Sequence, residues 1–501
     1  MELDPDTCYK AVASHDRRFD GRFFVGVSST GVYCRPICAV RTPKRENCTF
    51  YETAAAAEKH GFRPCLRCRP ELAPGHGLAD ISGRLAQAAA TLIDEGFMAG
   101  GAGVAQLAGR IGVTERHLRR LFDAEFGVSV HEYAQTQKLL LAKRLLTDTA
   151  LPVTEVALAA GFGSVRRFND VLKQRYGLTP LAMRKRAADG MADRLVFELG
   201  YRPPLAWPEL LEFLGVRAVD GIEQCQGEVY TRTLAIDVGG HRHPGWVRLE
   251  HVAKRTVVRV TLSGTLAHVI PQALGKVRRL CDLGCRPDIV DAHLGELAAQ
   301  TPGMRLPGTF DGFEIAVRAI VGQVISVVQA RRILARLAQV AGDPLPDAAL
   351  AGLVAPAGAA PLTHVFPTAS ALAALPDADY QAAGVTATKI RAIRALARAV
   401  AAHEIVLDPH PQPEATVAQL RAIDGIGDWT AQYVAMRALG WPDAFPGTDY
   451  ALRKVLGVDT VRAMQAKTAG WAPWRAYAAI HLWHRYEVIK LQGSDIEEQA
   501  A

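Results

Sequence analysis

No run of about 18 uninterrupted apolar residues occurs in this sequence, and its first residues show no basic flank followed by an apolar segment. Membrane-spanning and secreted proteins are therefore not the expectation. A soluble cytoplasmic protein is, where disulfides are rare. Residues 191–501 also lack a net charge, with 31 Lys and Arg against 31 Asp and Glu. The whole formal charge of +7 thus falls in residues 1–190, which hold 27 basic and 20 acidic side chains. Such asymmetry suits a polyanion, although alone it is a weak argument for nucleic acid. Among the nine cysteines, Cys281-x3-Cys285 has no second pair to join it. With Cys8, Cys48 and Cys225, these two read as ordinary structural residues.

The remaining cysteines form two short pairs in basic, proline-containing frames: Tyr33-Cys34-Arg35-Pro36-Ile37-Cys38 and Arg63-Pro64-Cys65-Leu66-Arg67-Cys68-Arg69-Pro70. The 26 residues between the pairs leave room for a small subdomain, and four thiolates at these spacings suit a tetrahedral zinc ion. A closed cage of this kind is ordinarily inert scaffolding, so spacing alone points to a structural metal.

At 501 residues, three or four domains are expected. Behind the cysteines, Gly75-His76-Gly77 reads as a joint. From Asp80 to about Arg186 the pattern is one of short helices broken by glycines, and it contains a repeat. Ala108, Gly112, Leu118, Phe122 and Gly127 recur as Ala157, Gly161, Phe168, Leu172 and Gly177, which is the plan of a doubled helix-turn-helix. Thr114 and Ser164 would cap the second helix of each copy. The first turns behind them carry Arg116, His117, Arg119 and Arg120, and Arg166 and Arg167, as candidate DNA contacts; the alternative is a solvated helix face.

Arg184-Lys185-Arg186 and the small residues to Asp193 read as a linker. Alternating segments near 228–234 and 256–262 predict an antiparallel sheet, and beyond Pro302 the chain reads as helical. The segment 355–361 is expected to be a loop, and the polar residues Gly493 to Ala501 to be disordered. Ile423-Asp424-Gly425-Ile426-Gly427-Asp428 places two glycines in a tight turn between helices, where Gly425 and Gly427 could present main-chain N–H groups to a phosphate.

Residues 5–180 resemble the Ada family, through Tyr33-Cys34-Arg35-Pro36, Arg45-Glu46-Asn47, Phe62-Arg63-Pro64-Cys65 and the paired AraC-type helix-turn-helix behind them. The resemblance implies a zinc domain that takes a methyl group from DNA methylphosphotriesters. Cys34 would be the acceptor, with Cys38, Cys65 and Cys68 as companion ligands, and Arg35, Arg41, Arg45 and Arg67 as phosphate contacts. The Pro-Cys-His-Arg string of that family's guanine-repair domain is absent, so repair of O6-alkylguanine is not expected.

From Leu195 to about Tyr486 the chain resembles the helix-hairpin-helix DNA glycosylases of the AlkA type, 3-methyladenine DNA glycosylase II. The strings that carry this are Leu199-Gly200-Tyr201-Arg202-Pro203-Pro204, Arg318-Ala319-Ile320-Val321-Gly322-Gln323 and Trp471-Ala472-Pro473-Trp474-Arg475-Ala476-Tyr477. By position the resemblance implies that Asp449 would be the catalytic carboxylate, that Trp429, Tyr433, Tyr450 and Trp483 would line the base pocket, and that Val324 would be the duplex wedge. Asp424 stands where the family hairpin usually has proline. Trp429 stands where strand-cutting relatives carry lysine, so hydrolytic base removal without lyase chemistry is implied.

The expectation is a mostly α, multidomain chain with α+β parts. It comprises an Ada-type zinc domain (1–78), a double helix-turn-helix (79–187), an antiparallel-sheet subdomain (188–300), a helix-hairpin-helix glycosylase bundle (301–490) and a polar tail (491–501). The implied function is alkylation repair joined to transcription activation, with one zinc ion and no organic cofactor. The implied partners are alkylated duplex DNA, promoter DNA and RNA polymerase, and the implied setting is a nucleoid-associated monomer. The rivals are a glycosylase whose N-terminal half is only a zinc-stabilised DNA-targeting module, and an inactive C-terminal half that bends or scaffolds DNA.

Overall fold

Four short strands build the first unit: β1 (Phe24–Val27), β2 (Val32–Cys34), β3 (Cys48–Tyr51) and β4 (Arg63–Pro64), in the order β3-β1-β2-β4. β1 is antiparallel to both neighbours, but β2 and β4 run parallel, with Val32 opposite Arg63 and Tyr33 opposite Pro64. The Cys65 N–H donates to the Tyr33 carbonyl at 3.0 Å, which carries Cys65 alongside Cys34. The computed structural model describes residues 4–75, 84–99, 101–184, 193–353 and 360–499. The joint at 76–77, the linker at 185–192 and most of the 355–361 loop lie outside the described residues.

The repeat folds as two helix-turn-helix units. Helices Val104–Arg110 and Glu115–Phe126 form the first, Val153–Ala159 and Val165–Tyr176 the second, and helix Val130–Asp148 joins them. Thr114 and Ser164 accept main-chain hydrogen bonds from His117 and Arg167, so both act as the N-caps the sequence predicts. Leu118, Phe122 and Phe126 are buried in the first unit, and Phe168, Leu172 and Tyr176 in the second.

One buried carboxylate ties the zinc unit to these helices. Glu58 is 5% exposed; its Oε1 accepts from Tyr33 (3.1 Å) and Tyr176 (3.0 Å), and its Oε2 from Thr136 (3.0 Å). Burial pushes its acid up to about 7, against the lowering effect of the three hydroxyls. A raised acid contributes stability that is complete below the ordinary carboxylate range and is lost as pH rises through about 7. Glu58→Gln is therefore expected to raise the melting temperature at pH 8 and to leave it nearly unchanged at pH 4.5. The gain should be on the order of 2 kcal/mol. Equal melting of both proteins at pH 8 would refute this account.

β5 (Arg194–Gly200), β6 (Glu223–Gln226), β7 (Val229–Val238), β8 (His241–Val252) and β9 (Val257–Ser263) form an antiparallel sheet in the order β5-β9-β8-β7-β6. Tyr230, Leu249, Val258 and Leu262 sit in its core. Beyond it the chain is helical. Arg232 of β7 donates to Glu314 at 2.7 Å, and Arg318 lies 2.7 Å from Glu223, so a buried four-charge cluster fastens the sheet to helix Gly312–Val321. Burial opposes the Glu223 charge, but Arg318 and Arg232 outweigh it and hold the acid down at about 2. Its contribution is present above the ordinary carboxylate range and is lost as pH falls toward about 2.

The chain is thus multidomain and mostly α with α+β parts. Two details differ from the sequence reading. Helices Ile270–Leu280 and Pro287–Leu294 follow directly on the sheet, and the tail from Gly493 continues helix Arg475–Gln499 instead of lacking structure. Among the described residues no helix is long and apolar enough to cross a membrane.

Candidate functional site

The β2–β4 ladder brings the sulfurs of Cys34, Cys38, Cys65 and Cys68 within 4.8 Å of one another; the first three residues are buried and Cys68 partly so. The crowded sulfurs act on one another's protons. Cys38 and Cys65 push the Cys34 thiol up, while Cys34 in turn holds both of them below the ordinary thiol range. Four thiols so crowded cannot all ionise alone, and this soft tetrahedral donor set fits a zinc ion.

The four arginines expected on phosphate divide. Arg41 and Arg67 are exposed, and so is Arg45, whose guanidinium lies over the rings of Tyr9 and Phe50. Arg35 is a correction. It is 8% exposed, its Nε donates to Asp20 at 2.8 Å and its Nη1 to the Cys68 carbonyl at 3.2 Å. A guanidinium committed to a buried carboxylate braces the cysteine cluster and has little left to offer a phosphate.

In the helix-turn-helix units, Arg116, Arg119, Arg120, Arg166 and Arg167 are exposed and His117 is half-buried. Arg119 pairs with Glu115, and Arg120 lies 3.2 Å from His117 Nδ1.

The second centre forms around Asp449, 22 residues beyond Gly427 of the glycine hairpin. Helices Pro413–Arg421 and Asp428–Arg437 flank a turn in which Gly425 takes φ +88° and Gly427 caps the second helix, and both glycines are exposed. Asp424 is exposed, while buried Ile426 keeps the hairpin packed. Asp449 caps helix Tyr450–Leu456 through the Leu452 N–H (3.0 Å). The Trp429 indole N–H donates to Asp449 Oδ2 at 2.8 Å, and that of Trp483 to Oδ1 at 3.1 Å. Three donors thus fix both carboxylate oxygens. Trp429 and Tyr433 stack with ring centroids 5.2 Å apart and planes 9° apart, and Trp483 lies 6.0 Å from Tyr433. Tyr450 is apart from this cluster: it is 65% exposed and meets Tyr486 edge-on.

Val324 is fully exposed at φ +59°, a conformation that costs a β-branched residue on the order of 1–3 kcal/mol. Its loop is held from two sides. Gln323 donates to the Gly425 carbonyl (3.0 Å) and Thr430 (2.9 Å), and Lys389 to the carbonyls of Val321 and Gln323, both at 2.8 Å. A cavity of about 990 Å³ lies elsewhere, between the zinc unit, helix Arg84–Asp94 and helix Ile270–Leu280. None of Trp429, Asp449 and Trp483 lines it.

Comparison with known proteins follows the same division. The family described as metal binding domain of Ada matches residues 7–71, a helix-turn-helix domain matches 107–186, and the AlkA N-terminal domain matches 196–311. A Mycobacterium tuberculosis protein named "Probable bifunctional transcriptional activator/DNA repair enzyme AlkA" is 37% identical over 97% of both chains. The chain belongs to this bifunctional AlkA family. Each half also has its own relative. The Escherichia coli DNA-3-methyladenine glycosylase 2 is 35% identical over 58% of this chain and 97% of its own. The Bacillus subtilis "Bifunctional transcriptional activator/DNA repair enzyme AdaA" is 28% identical over 37% of this chain and 84% of its own.

Within the family frame, three groups stand at the sites that the sequence did not point to. Lys389 lies 66 residues from the loop it braces, Asp20 precedes the cysteines by 14 residues, and Phe213 lies 6.3 Å from Trp483. Gln323 was within a recognised string, but its grip on the hairpin was not legible there.

Proposed function

We propose that this chain is an alkylation sensor, a transcription activator and an alkylbase DNA glycosylase in one molecule. One observation carries the reading: a four-thiol cluster and a carboxylate fixed beside an aromatic stack occur in a single chain, the first followed by a doubled helix-turn-helix and the second preceded by a glycine hairpin. The division proposed with it is 1–78, 79–187, 188–300 and 301–490. RNA polymerase contact and a monomeric state complete the proposal.

At the first centre, bound zinc would keep all four cysteines as thiolates. Cys34 Sγ attacks the methyl carbon of a phosphotriester; the S–C bond forms as the O–C bond breaks. The electron pair leaves with the phosphate oxygen and restores a phosphodiester anion. A triester has lost its charge and so repels a thiolate cluster less than its neighbours do. The exposed Arg41, Arg45 and Arg67 hold adjacent phosphates. Conversion of one thiolate to a thioether removes a negative charge from the cluster, which lowers its repulsion of DNA and tightens binding through the basic helix-turn-helix face.

At the second centre, Val324 enters the duplex and the extruded alkylated base meets Trp429, with Tyr433 and Trp483 behind it. Electron-poor rings stack well on electron-rich ones. Asp449 faces the sugar, stabilises its oxocarbenium-like state as the glycosidic bond breaks, and orients the attacking water. Gly425 and Gly427 present the hairpin to the backbone. With Trp429 in the place of an amine nucleophile, the product is an abasic site in an uncut strand.

The test is a panel of alkylated duplexes. Mass spectrometry should find one methyl on the Cys34 peptide after exposure to methylphosphotriester DNA, and chromatography should find free 3-methyladenine. Excision without any methyl on Cys34 would favour the DNA-targeting alternative; methyl transfer without excision would favour an inactive scaffold for the C-terminal half.

A further inference from the structure

We propose that Arg202, a residue of the glycosylase half, is a positioning residue for the methyl-acceptor centre in the other half. The inference rests on the methyl-transfer reading above. Arg35 stands next to Cys34 and holds Cys68 twice: its N–H donates to Cys68 Sγ at 3.3 Å and its Nη1 to the Cys68 carbonyl at 3.2 Å. The rest of the Arg35 fork is taken by the Asp20 carboxylate, whose side chain is 5% exposed. The placement of two cluster sulfurs thus depends on where Asp20 sits.

Asp20 is itself held from across the domain boundary. Arg202 Nε donates to the Asp20 carbonyl at 2.9 Å, and its Nη2 to the Gly75 carbonyl at 2.6 Å. The third arm, Nη1, donates to the Gly284 carbonyl at 2.9 Å within its own half. Arg202 is 1% exposed, and its carbonyl is fixed in turn by Arg305 Nη2 at 2.7 Å. One planar, always-charged fork therefore grips zinc-domain carbonyls 55 residues apart in sequence and is anchored behind in glycosylase backbone.

The surfaces around this fork are shaped for close approach. A Cβ on Gly200, two residues earlier on the edge strand β5, would collide with the Leu72 carbonyl of the zinc domain. Arg17 Nη1 donates to Thr256 Oγ1 at 2.6 Å across the same seam. The edge of the sheet is thereby covered by the zinc domain, while the Asp449 carboxylate is held by other groups, Trp429, Trp483 and the Leu452 N–H. The seam acts on the cysteine cluster through Arg35 and leaves the excision centre alone.

The experiment uses the full-length, zinc-loaded chain. Arg202→Met should slow single-turnover methyl transfer to Cys34 about tenfold or more, the usual scale for a group that orients metal ligands. Excision of 3-methyladenine should stay within about twofold, and Arg202→Lys should recover part of the transfer rate. In the cobalt(II)-loaded protein the visible bands should shift with Arg202→Met. Asp20→Asn, which loosens Arg35 directly, should slow transfer too, and adding Arg202→Met to it should cost little more, because both act on one path. Gly200→Val keeps the arginine and blocks the approach of Leu72, and should show the same selective loss. Unchanged transfer in a variant that still excises overturns the inference, as does equal loss of both reactions in Arg202→Met and Gly200→Val. Absence of a methyl on Cys34 in the unaltered protein overturns the methyl-transfer reading itself, with excision by that protein left standing.

Discussion

Replacement of Asp449 by asparagine should reduce release of 3-methyladenine by at least about 10²- to 10³-fold, the loss seen when one fixed electrostatic group is taken from a developing charge. Asparagine is the informative substitute because Asp449 has two roles. Its Oδ1 caps helix Tyr450–Leu456 at the Leu452 N–H, and an amide oxygen does this nearly as well. The negative charge facing the sugar is lost, and one of the two indole N–H groups now meets an amide NH2. Folding should therefore survive while chemistry does not. Chromatographic assay of the free base decides the matter, with circular dichroism to check that the helix content is retained. Excision at the unaltered rate would remove Asp449 from the mechanism. Methyl transfer by the same variant should be unaffected, since the two centres share no residue.

The second large effect is expected from Cys34→Ser. A serine hydroxyl is a far weaker nucleophile at neutral pH than a metal-activated thiolate, so transfer of a methyl from phosphotriester DNA should become undetectable. Three sulfurs remain to hold the fold. Excision of 3-methyladenine should persist, and the rise in DNA affinity after exposure to alkylated duplex should vanish. Cys38→Ser separates acceptor from ligand: the cluster weakens, but Cys34 is still present and should still receive some methyl. If Cys34→Ser protein acquires a methyl on Cys38, Cys65 or Cys68 at the normal rate, the acceptor has been misassigned.

The sequence made some of this structure readable and hid the rest for physical reasons. Local chemistry was legible. The cysteine spacings, the Thr114 and Ser164 caps and the glycine turn at 425–427 depend on neighbours within a few residues, and all lie where the pattern puts them. Strands near 229–238 and 257–263 were readable because apolar residues recur at alternate positions, such as Val258, Val260 and Leu262, although both faces of these strands are largely covered. Contacts between distant segments were not. Nothing in Arg35-Pro36 says that its guanidinium turns inward to Asp20, because an arginine beside cysteines reads equally as a phosphate contact. Tyr450 follows Asp449 in the chain but diverges from it in space, since a helix start sends successive side chains in different directions. Glu58 was passed over entirely, because a single glutamate in Ala54–Lys59 carries no sign of the three hydroxyls that will surround it.

The parallel ladder between β2 and β4 spans only two residue pairs, Val32 with Arg63 and Tyr33 with Pro64. Closing the loop of 30 residues between Val32 and Arg63 in a free chain costs about 3–4 kcal/mol of entropy, more than two backbone pairs return. The ladder cannot therefore be an early event in the life of the polypeptide. A ribosome-fresh chain would keep its two cysteine pairs apart until an ion joins them, and metal supply in the growing cell would then decide how much of the newly made protein becomes a sensor at all.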